Sequence, residues 1–308
     1  MSRGTLPSMP VPVNKEETSA LKRKTFDRAR CPNPRMLVKK IPKASSLIPN
    51  EPMVRPPPSH VIQKLGHASV AMGFDIETHD LAESGGDGIG RFGHPWRSNA
   101  SIFRLRIVQI GWAIGDCTLG GTIRERVERL VIPDGFAVSE RATKKHGITN
   151  ERANGDGVQI AQALEEFMRT AWSIHELQGV VVAHHIEFDA GVLDEELHRC
   201  GLDSWRPYWH IIATGGVCTM DPDIQEWIQH TFGNDKGAGE KTLVMNLRQS
   251  IMLFYNTAGS IRDLMKKAHT AGADAEMHLL LYQALRDLAA KGSEQEVVGT
   301  KLLGNFAE

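Results

Sequence analysis

Two carboxylates two residues apart, in Gly73-Phe74-Asp75-Ile76-Glu77-Thr78, close an apolar run, Ala68-Ser69-Val70-Ala71-Met72, that reads as a buried strand. Residues i and i+2 of a strand point to one face, so Asp75 and Glu77 project together from its end. Like charges held that close repel and desolvate each other, and a cation between them removes the conflict. A hard divalent ion such as Mg²⁺ takes carboxylate oxygens. Taken alone, the same pattern also fits a strand that ends in exposed acids. A third acid, Asp189, follows the apolar run Val180-Val181-Val182 and opens a helix pattern. It therefore sits at a strand's end, where open α/β sheets place ligands, and at a helix N-terminus, which favours its charge. A fourth, Asp274, falls in the first turn of the last helix pattern, with His269 on the loop before it. A loop histidine near several carboxylates is a candidate general base. His278, one helical turn past Asp274, is a second candidate by position.

The elements that must carry these residues follow from hydrophobic period and turn signals. Arg106–Ile114 and Val127–Ile132 read as strands, the second ended by Pro133-Asp134-Gly135. Ser139–His146 reads as a short helix with Ser139 as N-cap and Gly147 as terminator. Val158–Ser173 is an amphipathic helix, Gln178–Ala183 a buried strand, and Phe188–Cys200 a further helix. Asp223–Phe232, Thr242–Tyr255 and Asp274–Ala290 continue as helices, and the polar tail after Lys291 is expected to fray. Strands first and helices after them predict an α/β sheet domain whose opening strands form a meander.

The chain has 308 residues, 41% apolar and 24% charged, as expected of a globular protein. No apolar run approaches the ~20 residues of a membrane span, and no secretory signal is seen. Cys31, Cys117, Cys200 and Cys218 form no C-x-x-C pair, which argues against a zinc site and fits reduced thiols inside a cell, in nucleus, cytoplasm or an organelle. Residues 1–64 hold 13 Lys and Arg against 4 Asp and Glu, and 11 of the 15 prolines. Residues 1–66 are therefore expected to be a disordered basic arm, either a nuclear-import or nucleic-acid-binding patch or a solvated linker. The Gly-rich insert Leu81–Ser101 carries Arg91, Phe92, His94, Trp96 and Arg97. That mixture suits base stacking and phosphate contact, or a plain surface loop.

Three motifs occur in order: F-D-I-E-T at residues 74–78, A-H-x-x-x-F-D at 183–189 and H-x-x-x-x-D-A at 269–275. Together they resemble the motifs of the DEDDh group of 3′→5′ exonucleases in the ribonuclease H-like superfamily. The motif spacing, about 110 and about 80 residues, agrees with the family. Val108-Gln109-Ile110-Gly111 looks like the family's second strand and His146-Gly147-Ile148-Thr149 like its H-G-I-T turn. The resemblance implies a mixed five-stranded sheet flanked by helices over residues 67–290, between the arm and a polar tail at 291–308. It implies Asp75, Glu77, Asp189 and Asp274 as ligands of two Mg²⁺ ions, with Mn²⁺ as a substitute, and His269 as general base. It also implies 3′ ends of single-stranded DNA or RNA as substrates, or of very short RNA in a trimming enzyme. An inactive nucleic-acid-binding or scaffold protein on the same fold is the alternative. His185 stands where many members have Asn, and His79 where many have Thr or Ser. Oligomeric state is not read from the sequence.

Overall fold

Strand β1 (Val70–Thr78) lies at the middle of a five-stranded sheet and is buried along its whole length except at Asp75. The structure is a computed structural model. It describes residues 56–81, 88–89, 95–96, 102–118, 121–232, 245–255 and 259–304, with only the backbone of 88–89, 95–96, 259–260 and 293–304. In chain order, helix α1 (Ser59–Leu65) precedes β1, and two short strands, β2 (Gly88–Ile89) and β3 (Pro95–Trp96), pair antiparallel after it. Strands β4 (Ile107–Asp116) and β5 (Ile123–Leu130) follow, then helices α2 (Glu140–His146), α3 (Asn150–Asp156) and α4 (Ile160–Glu176). Next come β6 (Val180–Ala183), α5 (Ile186–Arg199), α6 (Arg206–Thr214), β7 (Val217–Cys218) and α7 (Pro222–Thr231). Helices α8 (Leu247–Tyr255), α9 (Gly259–Met265) and α10 (Ala271–Gly304) complete the chain.

The sheet order is β5-β4-β1-β6-β7. Pairs β5–β4 and β4–β1 are antiparallel, and β1–β6 and β6–β7 are parallel. This is the expected mixed five-stranded sheet flanked by helices, with the meander on one side. Alternation along β1 assigns its two faces. Met72, Phe74 and Ile76 join the core under α4, α5 and α6. Gly73, Asp75 and Glu77 share the other face, against which α10 lies. There the strand surface is cut down to backbone. A Cβ on Gly73 would stand 2.2 Å from the Ala275 carbonyl oxygen, and one on Gly111 of β4 2.3 Å from the Ala271 carbonyl carbon. The first turns of α10 thus rest directly on β1 and β4, and this contact brings Asp274 to the acids of β1.

Four expectations are corrected. Residues 59–65, assigned to the arm, form α1. Val61 and Leu65 are buried in the core, Lys64 pairs with Asp221 at 2.8 Å, and the Tyr282 hydroxyl donates to the Leu65 carbonyl at 2.7 Å. A seven-residue helix with two inward residues leaves too short a period to read. Residues 1–55 of the arm lie outside the described residues, as does most of the Gly-rich insert. The tail does not begin as frayed chain at residue 291, because α10 continues to Gly304. Polar composition argues for exposure, not for loss of helix, and Lys, Glu, Gln, Ala and Leu are good helix formers. Strand β5 begins at Ile123 rather than Val127, since its Arg-Glu-Arg stretch conceals an edge strand with one solvated face. Helices α3, α6 and α9 and strand β7 were not foreseen. No helix among the described residues is long and apolar enough to cross a membrane.

Candidate active site

Strand β6 pairs with β1 only from Ala71 to Gly73, and then stops at Ala183. Beyond that point β1 runs on alone on this side, and the chain after β6 turns at His184-His185 into α5. Asp189 stands in the first turn of α5 and is 4% exposed. The Asp189 N–H donates to the His185 carbonyl at 3.4 Å, and the Ile76 N–H dipole, between Asp75 and Glu77, offsets part of the rise that burial imposes on the Asp189 carboxyl. The parting of two parallel strands therefore creates the crevice.

The fourth acid arrives from α10. Asp274 accepts the His269 N–H at 3.3 and 3.2 Å on its two oxygens, and its own N–H goes to the Thr270 carbonyl at 3.0 Å. The Ala271 N–H donates to Oε1 of Gln109, the cross-strand partner of Glu77, at 2.9 Å. His269 adopts φ +69°, the left-handed region that non-glycine residues rarely occupy. The reversal puts an exposed imidazole at the mouth of the crevice. Glu77, His269 and Asp274 each place a possible ligand atom within 4.8 Å of the other two. That trio does not include Asp75 or Asp189, which act on the other acids through space.

The electrostatics follow from four carboxylates in a desolvated crevice. Burial raises Asp75 well above the usual carboxylate range, and the charges of Asp189, Asp274 and Glu77 raise it further. Burial is also the main cause of the rise to about 8 at Glu77, about 8 at Asp189 and about 6 at Asp274. Without a cation Glu77 and Asp189 retain protons at neutral pH. An all-oxygen donor set that is buried and mutually repelling is what a hard divalent ion stabilises, so the residues fit a divalent cation. The positive side chain that acts on all four is Lys145, on the last turn of α2. Sequence reasoning passed over it, although it directly precedes the H-G-I-T turn. Burial lowers the pKa of His269 first, and the charges of Lys145 and Arg248 lower it further, so its imidazole is neutral at pH 7.

The buried and half-buried histidines near the site are built into the frame. His146 accepts the Ile148 N–H on Nδ1 at 3.1 Å, so its Nε2–H donates to the Thr78 carbonyl at 3.2 Å and pins the end of β1. His184 bridges the Thr219 hydroxyl and the Met245 carbonyl, each at 2.9 Å. His79 accepts the Arg106 N–H on Nδ1 at 3.1 Å, a backbone-bracing role. His185, in the family's Asn position, stacks beside Phe188 at 6.1 Å between ring centroids. His278 is 2% exposed behind Asp75 and cannot meet solvent.

No family model and no curated protein sequence matches the chain. Solved structures do. Exonuclease I from Methylocaldum szegediense is 16% identical, with 71% of this chain aligned to 40% of that one at a TM-score of 0.47. The chain is similar to exonucleases. Cell-death related nuclease 4 (CRN-4) aligns at 13% identity over 72% of this chain and 64% of its own, TM-score 0.43. The zinc-bound E. coli ExoI–ssDNA complex aligns at 16% identity over 77% and 45%, TM-score 0.44. The chain thus spans about two fifths to somewhat under two thirds of the length of these proteins.

Proposed function

We propose that this protein is a metal-dependent 3′→5′ exonuclease of the DEDDh type, acting on single-stranded DNA or RNA. One observation carries the reading. Asp75, Glu77, Asp189 and Asp274 come from three separate elements to one desolvated crevice, and His269 stands exposed at its mouth. Asp75, Glu77, Asp189 and Asp274 would hold two divalent ions, which supply charge stabilisation at the attacking and leaving oxygens of the phosphodiester.

The protein's own groups do the rest. His269, neutral at pH 7, accepts a proton from the water that attacks the terminal phosphodiester. The new P–O bond forms as the bond to the penultimate 3′ oxygen breaks, releasing a nucleoside 5′-monophosphate and a strand with a new 3′-hydroxyl. Asp274 orients this base through the His269 backbone N–H, so a ligand and the base move as one unit. Lys145 attracts the strand's phosphates to the rim.

The test is incubation of 5′-labelled DNA and RNA single strands with Mg²⁺. The expected result is a ladder shortening from the 3′ end, abolished by chelation, on at least one of the two. Strands that stay full length with Mg²⁺ and with Mn²⁺ would overturn the reading.

A further inference from the structure

His278 has no part in the proposed chemistry, yet it packs against the first acid. Its Nδ1 lies 2.8 Å from the Phe74 carbonyl oxygen, and its Nε2 lies 4.0 Å from Oδ1 of Asp75. The ring stacks on that of His184, with centroids 6.4 Å apart and planes 21° apart. His184 is itself held at both nitrogens. His278 is therefore fixed in position and in orientation.

The hydrogen bond also fixes its proton. A carbonyl oxygen only accepts, so Nδ1 carries the hydrogen. Nε2 faces the Asp75 carboxyl at 4.0 Å, beyond hydrogen-bond reach. The Phe74 carbonyl belongs to the same planar peptide unit as the Asp75 nitrogen and Cα. It lies one residue past the last β1–β6 pair, Gly73 with Val182, where β1 has lost that neighbour. Holding that carbonyl holds the plane from which the Asp75 side chain departs.

We infer that His278 is a positioning residue for Asp75: its Nδ1–H ties the Phe74–Asp75 peptide to α10. The inference rests on the proposed role of Asp75 as a metal ligand. Such outer partners of metal-ligating carboxylates set ligand direction, and losing one costs about 10–100-fold in metal affinity.

The two nitrogens can be replaced separately. Asn at 278 offers an amide N–H where Nδ1 sits, Gln offers one where Nε2 sits, and Leu fills the space with neither. Mn²⁺ binding is measured by calorimetry on the full chain without nucleic acid, with thermal unfolding run beside it. His278→Asn is expected to bind within about threefold of the unmodified protein, and His278→Gln and His278→Leu about 10–100-fold more weakly. Equal affinity in all three, or equal loss in all three, would overturn the inference. Failure of the unmodified protein to bind Mn²⁺ would instead overturn the proposed function. A second readout does not depend on the variants folding. In the unmodified protein labelled with ¹⁵N-histidine, Nδ1 of His278 is expected to carry a hydrogen at pH 7. A bare Nδ1 there would overturn the assignment.

Discussion

The backbone N–H of His269 points at both carboxylate oxygens of Asp274, at 3.3 and 3.2 Å. A candidate base and a candidate ligand are thus joined by a backbone hydrogen bond, and the turn that makes it possible is the left-handed φ of His269. Replacing His269 by Ala should lower kcat by about 10²–10⁴-fold, the usual worth of a positioned general base, with little change in metal binding. His269→Gly should lose as much rate but unfold at a higher temperature than His269→Ala, because glycine adopts φ +69° without strain. Single-turnover rates together with thermal unfolding check both. A retained rate in either variant would remove His269 from the mechanism.

Asp75→Ala and Asp274→Ala should each reduce hydrolysis to the level of a no-enzyme control. Each removes a ligand and also relieves repulsion among the acids, so the fold should persist without metal. The check is the labelled-strand assay beside circular dichroism. Near-normal activity in either variant with Mg²⁺ would sink the two-ion assignment.

Glu77 and Asp189, raised to about 8, make metal-free stability depend on pH. In the unfolded chain both acids ionise near pH 4. The folded state therefore holds more protons above that pH, and stability falls as pH rises through the folded values. The buried histidines act with the opposite sign, but only below their unfolded value of about 6.5. Between pH 6.5 and 8, then, the melting temperature in chelator should fall as pH rises. Mg²⁺ should restore it at pH 8, and Glu77→Gln or Asp189→Asn should flatten the slope. A melting temperature that is level across this range would contradict the picture of four unneutralised acids.

Lys145 is exposed and acts on the whole acid cluster. Lys145→Met should raise KM for single strands and reduce the slope of log KM against log salt by about 1, the signature of one lost phosphate contact. The fold should be unaffected, since no hydrogen bond of the core runs through this side chain. Unchanged KM and slope would leave Lys145 a bystander.

Gly73→Ala should be costly although the change is one methyl group. The added Cβ meets backbone of α10, which cannot rotate away. Helix α10 must lift from β1, with a loss of about 1–3 kcal/mol as in other overpacked cores and a large fall in activity as Asp274 retreats. Chemical denaturation and the strand assay measure the two effects. A variant of normal stability would show that α10 is not seated by this contact.

The chain's own letters determined the strand that carries Asp75 and Glu77 and the Ser139 cap and Gly147 stop of α2. Each rests on a local rule: period two along a buried strand, a side-chain oxygen for an orphan N–H, a left-handed glycine. The three motifs also named in advance the acids that share the crevice. What no local rule could supply was their meeting. That needed β6 to end while β1 continued, and two glycines, 38 positions apart, to admit one helix against the sheet. Lys145 was illegible as a neighbour of the acids, and His278, a candidate base by position, was illegible as the buried residue behind Asp75, because a lysine on a short helix and a histidine on an apolar face look the same in any fold. Only the packing of α2 and α10 around the end of β1 set both beside the acids, where charge and hydrogen bonding act over a few ångströms of space and not along the chain.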